Sequence, residues 1–194
     1  MTETTLDLTG TWDVDPAHSR LGFAARHAMV ATVHGTFSVF SGALHLDQAN
    51  PEKSTAEVDI DAASISTGNQ QRDDHLRSAD FLDVEKYPKL VFRSTGAELG
   101  KDDNEYKLHG DLEIRGVSRP IVLDLEFQGT SPDPFGNLRA GFEGKATINR
   151  KDWGLTWNMV VEGGGIMIGE KVKLELDISS IRRKDETATA EPTA

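Results

Sequence analysis

The sequence contains no cysteine, which excludes structural disulfides, thiolate chemistry and cysteine-ligated metal, although it leaves the cellular compartment undecided. Positive charge is scarce as well: 21 Lys and Arg stand against 32 Asp and Glu, a formal net charge of −11. Nonspecific affinity for a phosphate backbone comes chiefly from basic side chains that release counterions, so nucleic acid and anionic membrane surfaces are poor partners. No run approaches the roughly 20 apolar residues that a membrane-spanning helix needs, and the chain is not expected to cross a membrane. Residues 1–11 carry Glu3 and Asp7 and show neither a basic nor an apolar block of the secretory kind, so a cytoplasmic location is expected. No cofactor motif is found.

Alternation of apolar and polar residues is abundant. Leu21, Phe23 and Ala25 alternate with Arg20, Ala24 and Arg26, and Leu108, Gly110, Leu112 and Ile114 alternate with His109, Asp111, Glu113 and Arg115. The clearest segments are Ile121 to Phe127 and Val172 to Ile178, where every second residue is large and apolar. A period of two means a strand with one wet and one buried face. Asn50-Pro51, Gly100 to Asn104, Gly116 and the run 132–137 separate these segments with turn chemistry, and short turns join antiparallel neighbours. The prediction is an all-β protein of about eight strands closed into an antiparallel barrel, since closure removes exposed edges. The segments Gly35 to Asp47 and Gly165 to Arg182 are long, which favours a lipocalin-like barrel over an immunoglobulin-like sandwich. One segment, near residues 70–84, breaks the alternation and is expected to form a short helical element over a barrel end. The domain expectation is an extension over 1–9, one barrel over 10–183, and a disordered tail over 184–194, which has too few apolar side chains to offset its ordering entropy.

A barrel of this size is either filled by side chains or hollow enough for one small ligand. Gly110, Gly144, Ala140 and Ala146, with Gly42, fall on apolar registers, and small residues there are expected to leave room inside. The alternative is that such glycines mark bulges or barrel corners.

Three constellations bear on chemistry. Arg72-Asp73-Asp74-His75 with Arg77 reads either as a capped helix or as a head-group or acid–base site. Asp15-Pro16-Ala17-His18-Ser19, with His27 and His34, has the residue types of a triad or metal site but neither motif, so His18 and His27 are expected to be structural. Trp153 and Trp157, beside Arg150 and before Gly163-Gly164-Gly165, either stack on a ligand or close the barrel end, with the glycines as a turn.

With these residues in view the chain resembles the YceI-like family of lipocalin-like, polyisoprenoid-binding proteins, from Trp12 to about Ile181. The resemblance is carried by Trp12-Asp13-Val14-Asp15-Pro16-Ala17-His18-Ser19, Phe23 with Arg26-His27, Gly35-Thr36-Phe37, and Phe40-Ser41-Gly42. It continues through Ser64-Ile65-Ser66-Thr67-Gly68, Arg72 to Ser78, Asp80-Phe81-Leu82-Asp83, Tyr87 to Phe92, Gly110 to Val117 and Ile148 to Leu155. It implies an extended eight-stranded barrel around a long apolar tunnel that holds an isoprenoid or similar amphiphilic lipid, a role in binding, transport or sequestration rather than catalysis, and often a homodimer. Carried over residue by residue, it implies tunnel-lining roles for Phe23, Phe37, Phe40, Ile65, Leu76, Phe81, Phe92, Leu112, Phe142 and Trp153, with Arg72, His75 and Arg150 near a polar head. The two competing readings are an enzyme acting on a bound amphiphile through Arg72, Asp73 and His75, and a filled barrel that works through its surface as a dimeric interaction module.

Overall fold

The computed structural model describes residues 7–160 and 165–184. Except for Lys184, the tail expected after Arg183 lies outside the described residues, as do Gly163 and Gly164 of the triple glycine.

Eleven strand segments form one antiparallel sheet, and a pairing between β1 (Gly10–Val14) and β11 (Ile168–Arg182) closes it on itself. The segment count exceeds the predicted eight because three long strands are each interrupted once. The first comprises β1 and β2 (Arg20–His27), separated by a 3-10 turn at Pro16–His18 that Asp15 caps. The second comprises β3 (Ala31–Phe37) and β4 (Phe40–Leu46), so the predicted strand through Gly35 bends at Ser38-Val39. The third comprises β5 (Thr55–Asp61) and the two-residue β6 (Ile65–Ser66), parted by a 3-10 turn. Then follow β7 (Lys89–Leu99), β8 (Glu105–Ile114), β9 (Val117–Pro132), β10 (Leu138–Asn149) and β11. Each ribbon pairs with the next in the chain, and the last returns to the first: an eight-stranded up-and-down barrel.

Local chemistry sets the reversals. Ile114 pairs with Val117 across Arg115-Gly116, both at positive φ (53° and 71°), the backbone of a two-residue hairpin whose twist matches the strands it joins. At the 133–137 turn, the Asp133 carboxylate accepts hydrogen bonds from the backbone N–H groups of Phe135 and Asn137. The helical element α1 (Gln70–Arg77) lies within the segment expected to be helical and starts at Asn69, whose side chain accepts from the Arg72 N–H.

The meander gives the barrel two unlike ends. Turns at 28–30, 67–88 and 115–116 and the described parts of the β10–β11 connection, 150–160 and 165–167, gather at one end, where α1 and the 3-10 turn Arg150–Trp153 cover the interior. The N-terminal residues, the 47–54 connection and the turns at 100–104 and 133–137 gather at the other. Core packing is densest toward the covered end, where Ala62, Ile65, Leu82, Ile148, Trp153 and Leu155 are all buried. A smaller buried group, Val14, Leu21 and Phe40, packs against the barrel wall.

Candidate functional site: an apolar cavity along the barrel axis

A cavity of about 250 Å³ runs inside the barrel, and its walls come from nearly every ribbon. Its floor lies near Leu90, Leu112 and Ile114, and its mouth is framed by Leu8, Asp47, Gln48, Pro51 and Tyr106. On β8 the wall extends from Tyr106 to Ile114. At about 3.3 Å per residue and a strand tilt near 40°, that span is roughly 20 Å deep along the axis. Val58, Ile60, Leu125, Leu174, Leu176 and Phe142 line the cavity yet are only half-buried, because the space they face is not filled by protein. The lining is hydrocarbon until the mouth, where Asp47, Gln48, Ser54, Thr55 and the Tyr106 hydroxyl bring polar atoms.

The room inside does not come from the glycines that suggested it. A Cβ at Gly110 would land in the Phe92 ring, one at Gly144 against Leu125 and Leu176, and one at Gly42 against the Glu57 carbonyl and the Val58 and Val14 methyls. Gly35 is likewise covered by the Phe23 ring directly across the strand pair. Glycine here lets a neighbouring side chain lie down on the backbone, so the missing volume is taken up locally. The cavity exists instead because inward-pointing Leu, Ile, Val and Phe along the axis do not reach each other across the barrel.

The sequence-derived candidates separate into two groups. Phe37, Phe92, Leu112 and Phe142 lie on the cavity wall. Phe23 packs against Phe37, with ring centroids 5.9 Å apart, and Phe40 belongs to the smaller buried group; neither reaches the wall. Ile65, Leu76, Phe81 and Trp153 pack at the covered end, beyond the floor. Trp153 is the plug there, 2% exposed, with its indole N–H donating to the Leu112 carbonyl at 2.8 Å.

The three polar candidates also sit at the covered end, and each bonds to other groups of the protein. Arg72 donates to the Thr67 hydroxyl and carbonyl, and the buried Asp73 accepts from the Thr67 N–H and hydroxyl, which ties α1 to the strand before it. His75 contacts Asp80 through Nε2 at 2.8 Å and stands edge-on to Phe81 and Trp157. Arg150 is 4% exposed, and its guanidinium donates to the carbonyls of Gly169, Leu155, Trp157 and Ile168. Burial holds its pKa below the ordinary arginine value, with the Glu170 charge opposing that shift. A planar fork of five N–H donors suits this task of gathering four carbonyls from the 150–169 segment.

The histidines and acids near the N-terminus form no reactive centre. Asp15 accepts from the Ala17 N–H, from His18 at 2.8 Å and from Arg139 at 2.7 Å, while the Ser19 hydroxyl bonds to the Ser179 backbone. His34 lies beside Glu175 at 3.9 Å, far in the chain from either. Among the described residues, no three His, Asp or Glu side chains converge as metal ligands.

Sequence reasoning missed the mouth itself. Leu8 crosses it from the N-terminal extension: its N–H donates to the Gln48 side chain at 2.6 Å, and its carbonyl accepts from the Trp12 indole at 2.9 Å. The available signal was the alternation of Leu6 and Leu8 with polar residues just before the first strand. Asp47 read only as the end of a long strand and Asn50 as a turn residue, and together they build the turn: the Asn50 N–H donates to the Asp47 carboxylate at 2.8 Å. That bond holds the Asp47 carboxyl below the usual carboxylate range.

Comparison with known proteins places this geometry. The family model described as the YceI-like domain matches residues 12–180. A UPF0312 protein of Pectobacterium carotovorum is 35% identical over 173 residues, covering 89% of this chain and 86% of its own. The crystal structure of the Campylobacter jejuni YceI protein superposes with a TM-score of 0.70 at 30% identity, covering 95% of this chain and all of that one. A polyisoprenoid binding domain from Saccharophagus degradans, at 17% identity and a TM-score of 0.65, shares the fold, covering 89% of this chain and 98% of its own.

Proposed function

The chain belongs to the YceI-like family, and from that premise we propose that its cavity takes one long apolar chain, isoprenoid-like or from another amphiphilic lipid, which the protein binds, carries or sequesters without catalysis. One observation carries the reading: a row of large apolar side chains that point inward from nearly every ribbon and remain half-buried around an unfilled axial space. Each methylene moved from water into such a space contributes about 0.8 kcal/mol, close to a fourfold gain in affinity. A wall made of hydrocarbon from floor to mouth therefore selects by tail length. The polyisoprenoid binding of the Saccharophagus degradans domain, which shares this fold, supports the isoprenoid form of the reading.

The catalytic alternative required Arg72, Asp73 and His75 to face a ligand. They stand at the covered end and bond to Thr67 and Asp80, and no ionisable pair lines the cavity floor. The filled-barrel alternative is disfavoured by the cavity. Dimerisation is a separate part of the proposal, supported by the apolar side chains exposed on two neighbouring loops of the covered end, Met29 and Val30 on one and Met159 and Val160 on the other.

Native mass spectrometry of protein purified without detergent tests the main reading. A co-purifying lipid, or binding of added polyprenyl or quinone chains with affinity rising with tail length, is expected. No adduct with any of these chains refutes it. Sedimentation equilibrium, with Val30→Asp and Val160→Asp as controls, tests the dimer.

A further inference from the structure

The cavity has one polar end, and the charged side chain on its wall there is negative. Asp47 is the single charged side chain on the wall; among the described residues no Lys, Arg or His lines it. Two of the segments at this end, 47–53 and 98–105, carry six carboxylates, Asp47, Glu52, Glu98, Asp102, Asp103 and Glu105, against Lys53 and Lys101. The Asn50 backbone N–H holds the Asp47 carboxyl below the usual carboxylate range. Its Oδ2 accepts one long bond, 3.3 Å from the Asn50 amide, and a carboxylate oxygen can accept more than one. The other polar groups of the mouth, on Gln48, Ser54, Thr55 and Tyr106, are neutral.

An amphiphile whose tail occupies the axis leaves its head at this mouth, because the covered end is packed and Arg72, His75 and Arg150 there bond to other groups of the protein. A phosphate or carboxylate head there meets an ionised carboxylate at close range, and the Lys53 charge that acts on Asp47 stands off the cavity wall. An amide, hydroxyl or ammonium head meets an acceptor. We propose that the mouth selects lipids whose head donates hydrogen bonds and carries no negative charge, and that Asp47 is the residue that sets this preference. The proposal rests on the tunnel reading above.

The test uses tail-matched hexadecyl compounds, namely the amine, amide, alcohol, carboxylate and phosphate, in displacement of a fluorescent fatty probe from the full chain. At low ionic strength the amide, alcohol and amine are expected to bind at least about tenfold more tightly than the phosphate, the scale of a like-charge contact at the effective dielectric of a protein surface. Added salt should narrow that gap, since exposed charges are screened beyond about 10 Å at 0.1 M. Asp47→Asn keeps an oxygen acceptor for the Asn50 N–H and should bring the phosphate within about threefold of the alcohol. A phosphate that binds wild type as tightly as the alcohol overturns the head-group proposal while leaving the tunnel intact. A gap unchanged by both salt and Asp47→Asn overturns it as well. If no member of the series displaces the probe, the tunnel reading fails and this proposal fails with it.

Discussion

Replacing Ala97 with Phe should make the empty protein more stable and weaken its hold on a lipid. Ala97 is buried, pairs with Leu108 and lies on the cavity wall, so a phenyl ring built there enters unfilled space rather than packed core. Held empty, a cavity of about 250 Å³ costs roughly 6 kcal/mol at ~24 cal/mol per Å³, which is as large as the net stability of many domains. A phenyl group takes up on the order of 100 Å³ of it and should recover roughly 2 kcal/mol. For a domain of this size, that raises the melting temperature of lipid-stripped protein by about 4–8 °C. The same ring displaces roughly three or four methylenes of a bound tail, a loss of about 3 kcal/mol and of more than 100-fold in affinity. Scanning calorimetry on delipidated protein and a fluorescence displacement titration read the two effects independently. A lower melting temperature combined with unchanged lipid affinity would mean that the interior at Ala97 is already packed, and the account of a hollow axis would be wrong.

Arg150→Met removes the guanidinium donor from the Gly169, Leu155 and Trp157 carbonyls, while Ile168 keeps its bond from Asn158, and should cost roughly 2–4 kcal/mol by urea denaturation. Lipid affinity should stay at the wild-type value, and an affinity loss without a stability loss would instead place Arg150 at a head group. Gly35→Ala should destabilise by about 1–3 kcal/mol, because the new methyl enters the Phe23 ring; Phe23→Leu should recover most of this in a double-mutant cycle, and strict additivity would contradict the contact. Asp133 is pulled down to about 2, chiefly by the Asn137 side chain and N–H, and Asp15 is lowered chiefly by Arg139. Folded values below the unfolded ones mean stability that is complete above about pH 4 and lost as pH falls toward 2. Arg139→Gln should therefore flatten the fall of the urea midpoint across that window, and parallel curves for the two proteins would show that the Asp15–Arg139–Asp133 network contributes nothing there. Leu8→Ala opens the mouth and should raise lipid on-rates and off-rates together in stopped flow; a change in the off-rate alone would make Leu8 a contact rather than a barrier.

The division between what was legible and what was not follows the range of the interactions. Strand identity and the inward face are set by nearest and next-nearest neighbours in the chain, so alternation from Leu108 to Ile114 or from Val172 to Ile178 reports them directly. Turn chemistry at Arg115-Gly116 and at Asp133 is equally local, and together these determine a meander of antiparallel ribbons. The breaks at Pro16–His18 and at Ser38-Val39 were less visible, because a ribbon that bends around a barrel corner keeps its alternation on both sides of the bend.

The site depended on contacts that no local pattern encodes. Whether Gly110 leaves a hole turns on where the Phe92 ring rests, and Phe92 lies on a different ribbon. Whether Arg72, His75 and Arg150 face a ligand depends on Thr67, Asp80 and the carbonyls of 155–169, which fold back on them only when the covered end assembles. The mouth joins Leu8, Asp47 and Tyr106, the first two brought together by the pairing of β1 with β4 and the third by the curl of the sheet. The sequence by itself thus determined a barrel with an apolar interior, since periodicity is a property of consecutive residues. Only the tertiary structure decided where that interior stays empty, which end opens and what charge guards it, since a void is bounded by side chains from many ribbons and exists only once the first strand has paired with the last.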